Sequence, residues 1–75
     1  MEVRRRVGLN VRKYREKLEL SQEVLAFEAK VHRTYLSGVE RGVRNPTVVV
    51  LEKIAKALKV PSARLLEDST RRRTS

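Results

Sequence analysis

The chain has 75 residues, enough for one small domain, and its 18 Lys and Arg against 9 Asp and Glu give a formal net charge of +9. It has no cysteine and one histidine, His32, which excludes a disulfide framework, a thiolate metal site and a histidine-rich metal site. No apolar run approaches the ~20 residues that span a bilayer, and none follows the basic N-terminus as in a secretory signal. Such a basic balance is typical of nucleic-acid binders, although ribosomal proteins, membrane-surface peptides and toxins share it.

Apolar residues at three- and four-residue intervals predict a first helix from Val3 to Lys17. Leu20 is expected to tuck inward at its end. The inward stripe of this helix is predicted to be Val7, Val11, Tyr14 and Leu18.

Two shorter helices are predicted next, from Ser21 to Ala29 and from His32 to Glu40. Ser21 is a natural N-cap, because its hydroxyl accepts a hydrogen bond from an otherwise unpaired N–H of the first turn. Gly42 is expected to end the third helix. The inward residues are Leu25, Ala26 and Ala29 in the second helix, and Leu36 and Val39 in the third.

A fourth helix is predicted from Thr47 to Lys59, with Asn45 and Thr47 as the candidate N-caps. Pro61 ends it and begins a short fifth helix. The inward stripe of the fourth helix is expected to be Val48, Leu51, Ile54, Ala55 and Leu58. The sequence therefore predicts an all-α fold, a compact bundle of about five short helices, over residues 1–68. Residues 69–75 are charged and lack apolar side chains, which predicts a disordered basic tail.

The stretch from Ser21 to Val60 resembles the lambda-repressor-like helix-turn-helix family, also called the Cro/C1 or xenobiotic-response-element type. Each motif is weak alone, but their order and spacing together are specific. The matching residues are Ser21-Gln22-Glu23, Leu25-Ala26, Val31, Tyr35-Leu36-Ser37, Glu40-Arg41-Gly42, Asn45-Pro46-Thr47 and Leu51, Ile54, Ala55 and Leu58. Within the family, the string from His32 to Arg41 is most similar to controller proteins of restriction–modification systems.

The resemblance implies that the helix from His32 to Glu40 lies in the major groove with its N-terminal half toward the base edges. Arg33 can then reach guanine O6 and N7 in a bidentate fork, and Ser37 shares its face. Family resemblance further implies that Gln22 contacts phosphate. The candidate DNA-binding residues are Gln22, His32, Arg33, Thr34, Tyr35, Ser37, Arg41, Arg44 and Asn45. Tyr35 is placed off the inner stripe and interpreted as a contact.

The same resemblance implies a structural ion pair between Arg15, late in the first helix, and Glu40 at the end of the third. Two residues depart from the family pattern: Lys30 stands where the turn usually has Gly or Asn, and His32 stands where a capping residue is usual. A left-handed Lys30 would carry a penalty that Gly would not. Gly38 in a helix interior indicates either close approach to DNA or tight helix packing.

One recognition helix reads few bases, and proteins of this type usually bind two half-sites as a dimer. Apolar residues beside the core-facing stripes of the last two helices predict a homodimer surface. Its candidates are Val49, Val50, Leu65 and Leu66.

The sequence predicts a DNA-binding transcriptional regulator that reads a pseudo-palindromic operator as a dimer, located in the cytoplasm. The alternative is an antitoxin or adaptor module whose main partner is a protein. An enzyme is disfavoured, because no nucleophile, base or phosphate loop stands in a catalytic arrangement. A single-strand or RNA binder is disfavoured because two Tyr and one Phe form no stacking platform. No cofactor, membrane or small-molecule ligand is expected.

Overall fold

A computed structural model describes residues 2–68. It contains α1 (Val3–Lys17), α2 (Gln22–Ala29), α3 (Arg33–Glu40), α4 (Val48–Leu58) and a 3-10 helix (Ser62–Leu66). Because these residues include no strand, the predicted all-α bundle of about five helices is confirmed. The predicted tail at 69–75 lies outside the described residues, and the domain boundary at 68 stays a prediction. Within residues 2–68, no helix combines the length and apolarity needed to cross a membrane.

Three helices begin with a side-chain cap. The Ser21 hydroxyl accepts a hydrogen bond from the Val24 amide at 3.1 Å, and the Thr47 hydroxyl accepts one from Val50 at 3.1 Å. Glu2 caps α1 by accepting from the amides of the next turn. The side-chain hydrogen bond from Arg4 to Glu2 is the largest of the effects that lower the pKa of this carboxyl. The caps predicted at Ser21 and Thr47 are therefore present.

Three helix ends are followed by a left-handed residue that is not glycine. Glu19, Lys30 and Lys59 have φ angles of 58°, 60° and 63°, whereas Gly42 after α3 has a φ of 79°. Of these four positions, Gly42 alone has the residue that adopts this conformation without steric cost. Lys30 therefore has the left-handed backbone for which the sequence analysis expected a steric penalty.

The core lies where α1, α2, α3 and α4 meet the 3-10 helix. α2 packs chiefly on α4, and α1 packs on α3 and on the 3-10 helix. The buried apolar residues are Val7, Val11, Leu25, Ala26, Ala29, Leu36, Val39, Ile54, Ala55, Leu58 and Leu65.

The end of α1 departs from its predicted stripe. Leu18 is 43% exposed, although its spacing predicted an inward position. The chain turns through the left-handed Glu19, and the Leu20 amide returns to the Arg15 carbonyl at 3.1 Å. This turn brings Leu20 against the core in place of Leu18.

The start of α4 also differs from the prediction. Val48 was expected to face the core, but it is 81% exposed. It is the first residue of the helix after the Thr47 cap, and the packed stripe begins with the half-buried Val50 and Leu51. The helical period of the sequence was wrong at Val48, because the first residue of α4 does not yet pack on the core.

The prediction that Leu65 belongs to the dimer surface is wrong. It is fully buried in the core of one chain, whereas its neighbour Leu66 is 44% exposed. The buried Asn10 side chain holds this segment against α1, because its amide donates to the carbonyls of Leu65 at 2.9 Å and Glu67 at 2.7 Å. Leu65 is consequently not available to a second copy.

α1 and α3 cross at Gly8 with almost no space between their backbones. A Cβ atom built on Gly8 would clash with the Val39 carbonyl oxygen and would lie 2.6 Å from the Glu40 carbonyl oxygen. Glycine at this position therefore sets how closely α3 lies on α1.

Candidate nucleic-acid interface

α2 and α3 are joined by a tight turn that fixes the angle between them. After Ala29 the chain passes through the left-handed Lys30, and the Val31 amide donates to the Ala26 carbonyl at 3.0 Å. His32 then has extended backbone at the N-cap position of α3, and its side chain makes no capping hydrogen bond. The departure from the family pattern at His32 thus leaves the start of α3 without a side-chain cap.

The outer face of α3 is polar and open. Arg33 and Thr34 are exposed and Ser37 is half-buried. Together with Gln22 at the start of α2 they line a shallow cleft. The cleft offers a guanidinium, two hydroxyls and an amide to whatever contacts α3, a donor-rich set suited to base edges and phosphates.

A buried ion pair lies beneath this face. Arg15 of α1 donates to Glu40 through Nε at 2.6 Å and through Nη2 at 3.0 Å, and its Nη1 donates to the Leu20 carbonyl at 2.8 Å. The side chains of Arg15 and Glu40 are 13% and 3% exposed. Hydrogen bonding to Glu40 is the main effect that raises the pKa of Arg15 above its ordinary value. The pair inferred from family resemblance is therefore formed, and it ties the end of α3 to α1.

Gln22 joins this pair to the cleft. Its Nε2 donates to Glu40 Oε1 at 3.0 Å, so Glu40 accepts from α1 and α2 together. An amide nitrogen carries two hydrogens, so Gln22 still has one N–H for a phosphate. The phosphate role of Gln22 stays a prediction, and its bond to Glu40 fixes where that amide lies.

Tyr35, predicted to contact DNA, is half-buried. It packs partly against the core, although the helical period placed it off the stripe of Leu36 and Val39, and its contact with DNA stays a prediction. The guanidinium carbon of Arg44 lies 5.8 Å from the ring centroid. Tyr35 therefore presents one part to the core and another to the loop after α3.

The loop after α3 carries three exposed polar residues, Arg41, Arg44 and Asn45. Gly42 turns the chain, and the amides of Val43 and Arg44 both donate to the Gly38 carbonyl, at 3.0 and 3.1 Å. These bonds hold the first part of the loop against the end of α3. The exposed polar residues of this loop therefore continue the polar face of α3.

Apolar side chains on α4 lie outside the core. Val49 is 65% exposed and, with Val48, borders a shallow depression on α4. Glu52, Lys53 and Lys56 complete its lining. Val50, another predicted dimer residue, is half-buried against the core. Val48 was not among the predicted surface residues of this helix, because the helical period of the sequence assigned it to the core.

Comparison with known proteins gives a consistent result. A helix-turn-helix family model matches residues 11–65. The control protein C.BamHI of Bacillus amyloliquefaciens is 50% identical over 64 residues, which cover 84% of this chain and 79% of that protein. The control protein C.SmaI of Serratia marcescens is 44% identical over 66 residues, covering 88% of this chain and 79% of that protein.

Two solved structures share the fold. The restriction-modification controller protein C.AhdI from Aeromonas hydrophila superposes with a TM-score of 0.81 and 40% identity, covering 83% of this chain and 94% of that one. A hypothetical transcription factor, NHTF, from Neisseria superposes with a TM-score of 0.91 and 36% identity, covering 97% and 84%.

The chain belongs to the helix-turn-helix family of the Cro/C1 type and is a DNA-binding transcriptional regulator rather than an enzyme. The comparisons do not favour the alternative of an antitoxin or adaptor. Within residues 2–68, no group of three or more His, Asp or Glu could hold a metal ion.

Proposed function

We propose that this chain is the controller of a restriction–modification system and binds a pseudo-palindromic operator as a symmetric dimer. The observation that carries the proposal is the α3 face itself. Arg33, Thr34 and Ser37 share an open cleft with Gln22, and the Arg15–Glu40 pair holds that cleft from below. The named relatives C.BamHI and C.SmaI support the sub-family. A regulator that binds such an operator is expected in the cytoplasm, on the nucleoid.

Arg33 is assigned the base contact. It is exposed in the first turn of α3, the part of a recognition helix that faces base edges. A guanidinium matches the two acceptors of guanine, and such a bidentate contact contributes ~1–3 kcal/mol of discrimination. Arg41, Arg44 and Asn45 in the next loop are assigned to the flanking backbone, with Thr34 and His32 at the start of α3.

The experiment is selection from a randomised duplex pool at near-physiological salt. Enrichment of a two-fold motif, with half-sites about one helical turn apart, supports the proposal. Arg33→Ala should then relax base preference at one position of each half-site. Lys17→Ala is the matched control, because it removes one charge from the side of α1 opposite Gly8 and α3. Binding that disappears with salt and enriches no sequence contradicts the proposal.

The dimer is assigned to the exposed part of α4. Val48 and Val49 are 81% and 65% exposed, and Glu52 lies beside Lys53 and Lys56 along the same depression. A two-fold axis brings the same patch of two copies together, so a patch carrying both signs of charge can complement itself. Leu66 is exposed and stays a candidate dimer residue, whereas the buried Leu65 does not.

Sedimentation tests this surface. Val49→Asp should convert the dimer to a monomer, because it places a charge in an apolar contact. Phe27→Asp is the control, since Phe27 is 80% exposed on α2 and the change is chemically similar. A wild-type protein that stays monomeric at high micromolar concentration rules out the dimer.

A further inference from the structure

The Arg44 side chain, although exposed, lies along α3. Tyr35 and Gly38 are three residues apart and therefore share a face of the helix. The Arg44 guanidinium carbon lies 5.8 Å from the Tyr35 ring centroid. A Cβ atom built on Gly38 would lie 2.5 Å from Arg44 Cγ, 3.4 Å from its Cβ and 3.6 Å from its Cδ. The aliphatic part of Arg44 thus occupies the space that a side chain at position 38 would fill.

The backbone fixes where this side chain starts. The amides of Val43 and Arg44 donate to the Gly38 carbonyl, so the chain returns to α3 at Gly38. From there the Arg44 side chain runs back over Gly38 to Tyr35, toward the N-terminal half of α3. The cation lies over a ring that the core holds on its other side.

We propose that Gly38 is a positioning residue: it leaves a notch in α3 that lets Arg44 lie flat and presents its guanidinium to the DNA beside Tyr35. This inference rests on the proposed function. A free arginine side chain loses much rotamer freedom on binding, and one already held in place loses less. Gly38 therefore serves DNA affinity through Arg44 and not through its own contact.

Gly38 and Gly8 differ in what a side chain would meet. At Gly8 the obstacle is the backbone of α3, whereas at Gly38 it is one flexible side chain. Alanine at position 38 can therefore be accommodated by moving Arg44 away from Tyr35. We expect the substitution to keep the fold and to displace the Arg44 side chain from Tyr35, which makes the proposed role of Gly38 testable.

The test is a double-substitution cycle on the duplex recovered from the randomised pool. Affinity is measured for the wild type, Gly38→Ala, Arg44→Ala and the double variant. Gly38→Ala should weaken binding roughly tenfold, in the range of one lost polar contact. In the Arg44→Ala background the same substitution should leave affinity unchanged. Equal losses in both backgrounds, or no loss in either, overturn the proposal.

NMR of the free protein separates this inference from the proposed function. The side-chain protons of Arg44 should be shifted upfield by the Tyr35 ring. Tyr35→Phe, which keeps a ring, should retain the shift, and Tyr35→Leu and Gly38→Ala should abolish it. Unshifted protons in the wild type overturn the placement whatever the DNA result. Shifted protons together with no selected duplex leave the placement correct and show that the proposed function is wrong.

Discussion

Arg15 and Glu40 join the first and third helices through two hydrogen bonds, at 2.6 and 3.0 Å, in a setting where the Glu40 side chain is 3% exposed. The pair is 25 residues apart in sequence, and Gln22 bonds to the same carboxylate. The orientation of the proposed recognition helix therefore depends on one carboxylate that accepts from two other helices.

Glu40→Ala should destabilise the protein before it alters base preference. Removing the carboxylate leaves the largely buried Arg15 guanidinium with the Leu20 carbonyl but without its charged partner, which costs about 3 kcal/mol at this partial exposure. The free energy of unfolding of a domain this small is roughly 5–10 kcal/mol in total. The loss should therefore lower the midpoint of urea unfolding clearly. Arg15→Ala/Glu40→Ala should lose less than the sum of the single variants. A midpoint that Glu40→Ala leaves unchanged contradicts the structural role of the pair.

Gly8→Ala should lower the free energy of unfolding by ~1–3 kcal/mol. The new methyl group would meet the backbone carbonyls of Val39 and Glu40, which cannot move without shifting α3. Gly38→Ala is the matched control, because its methyl group meets a flexible side chain and alanine favours a helix over glycine by ~1 kcal/mol. In denaturant unfolding, Gly8→Ala should therefore lower the free energy of unfolding and Gly38→Ala should raise it. Equal effects would show that the close approach at Gly8 is not a constraint.

Lys59→Gly should stabilise the protein by about 1 kcal/mol, because Lys59 has a left-handed backbone with a φ of 63°. For a domain of this size that is a rise in melting temperature of roughly 4–8 °C. Lys56→Gly is the control, since Lys56 lies within the last turn of α4 and glycine there should cost ~1 kcal/mol. Lys30→Gly should stabilise the protein for the same reason, because Lys30 also has a left-handed backbone. A loss of stability in the Lys59 variant contradicts the left-handed assignment.

The sequence predicted the elements that depend on local chemistry and missed those that depend on distant contacts. Ser21, Thr47 and Gly42 could be assigned because caps and turns involve only neighbouring residues. The exposure of Val48 and the burial of Leu65 depend on where α4 and the 3-10 helix meet the other helices, which periodicity does not encode. Gly38 was read as a contact with DNA or with a helix, and its neighbour proved to be the loop residue Arg44.

Asn10 shows the same limit at the 3-10 helix. A polar residue between Val7 and Val11 looks like a solvated helix position, yet it is 2% exposed. Its amide pairs with two carbonyls more than 50 residues along the chain, at 2.9 and 2.7 Å. Because these partners lie at the far end of the described chain, no local pattern signals the contact.

Asn10→Ala should therefore cost ~1–3 kcal/mol, the effect of leaving buried carbonyls unpaired. Its neighbour Leu9 is 45% exposed, so Leu9→Ala should change stability by less than about 0.5 kcal/mol and provides the control. Hydrogen exchange should show where the loss falls: Asn10→Ala should expose the amides of the 3-10 helix first, because that helix is held to α1 through its carbonyls. Faster exchange in α3 instead of the 3-10 helix would contradict this role and would mean that Asn10 supports the proposed recognition helix.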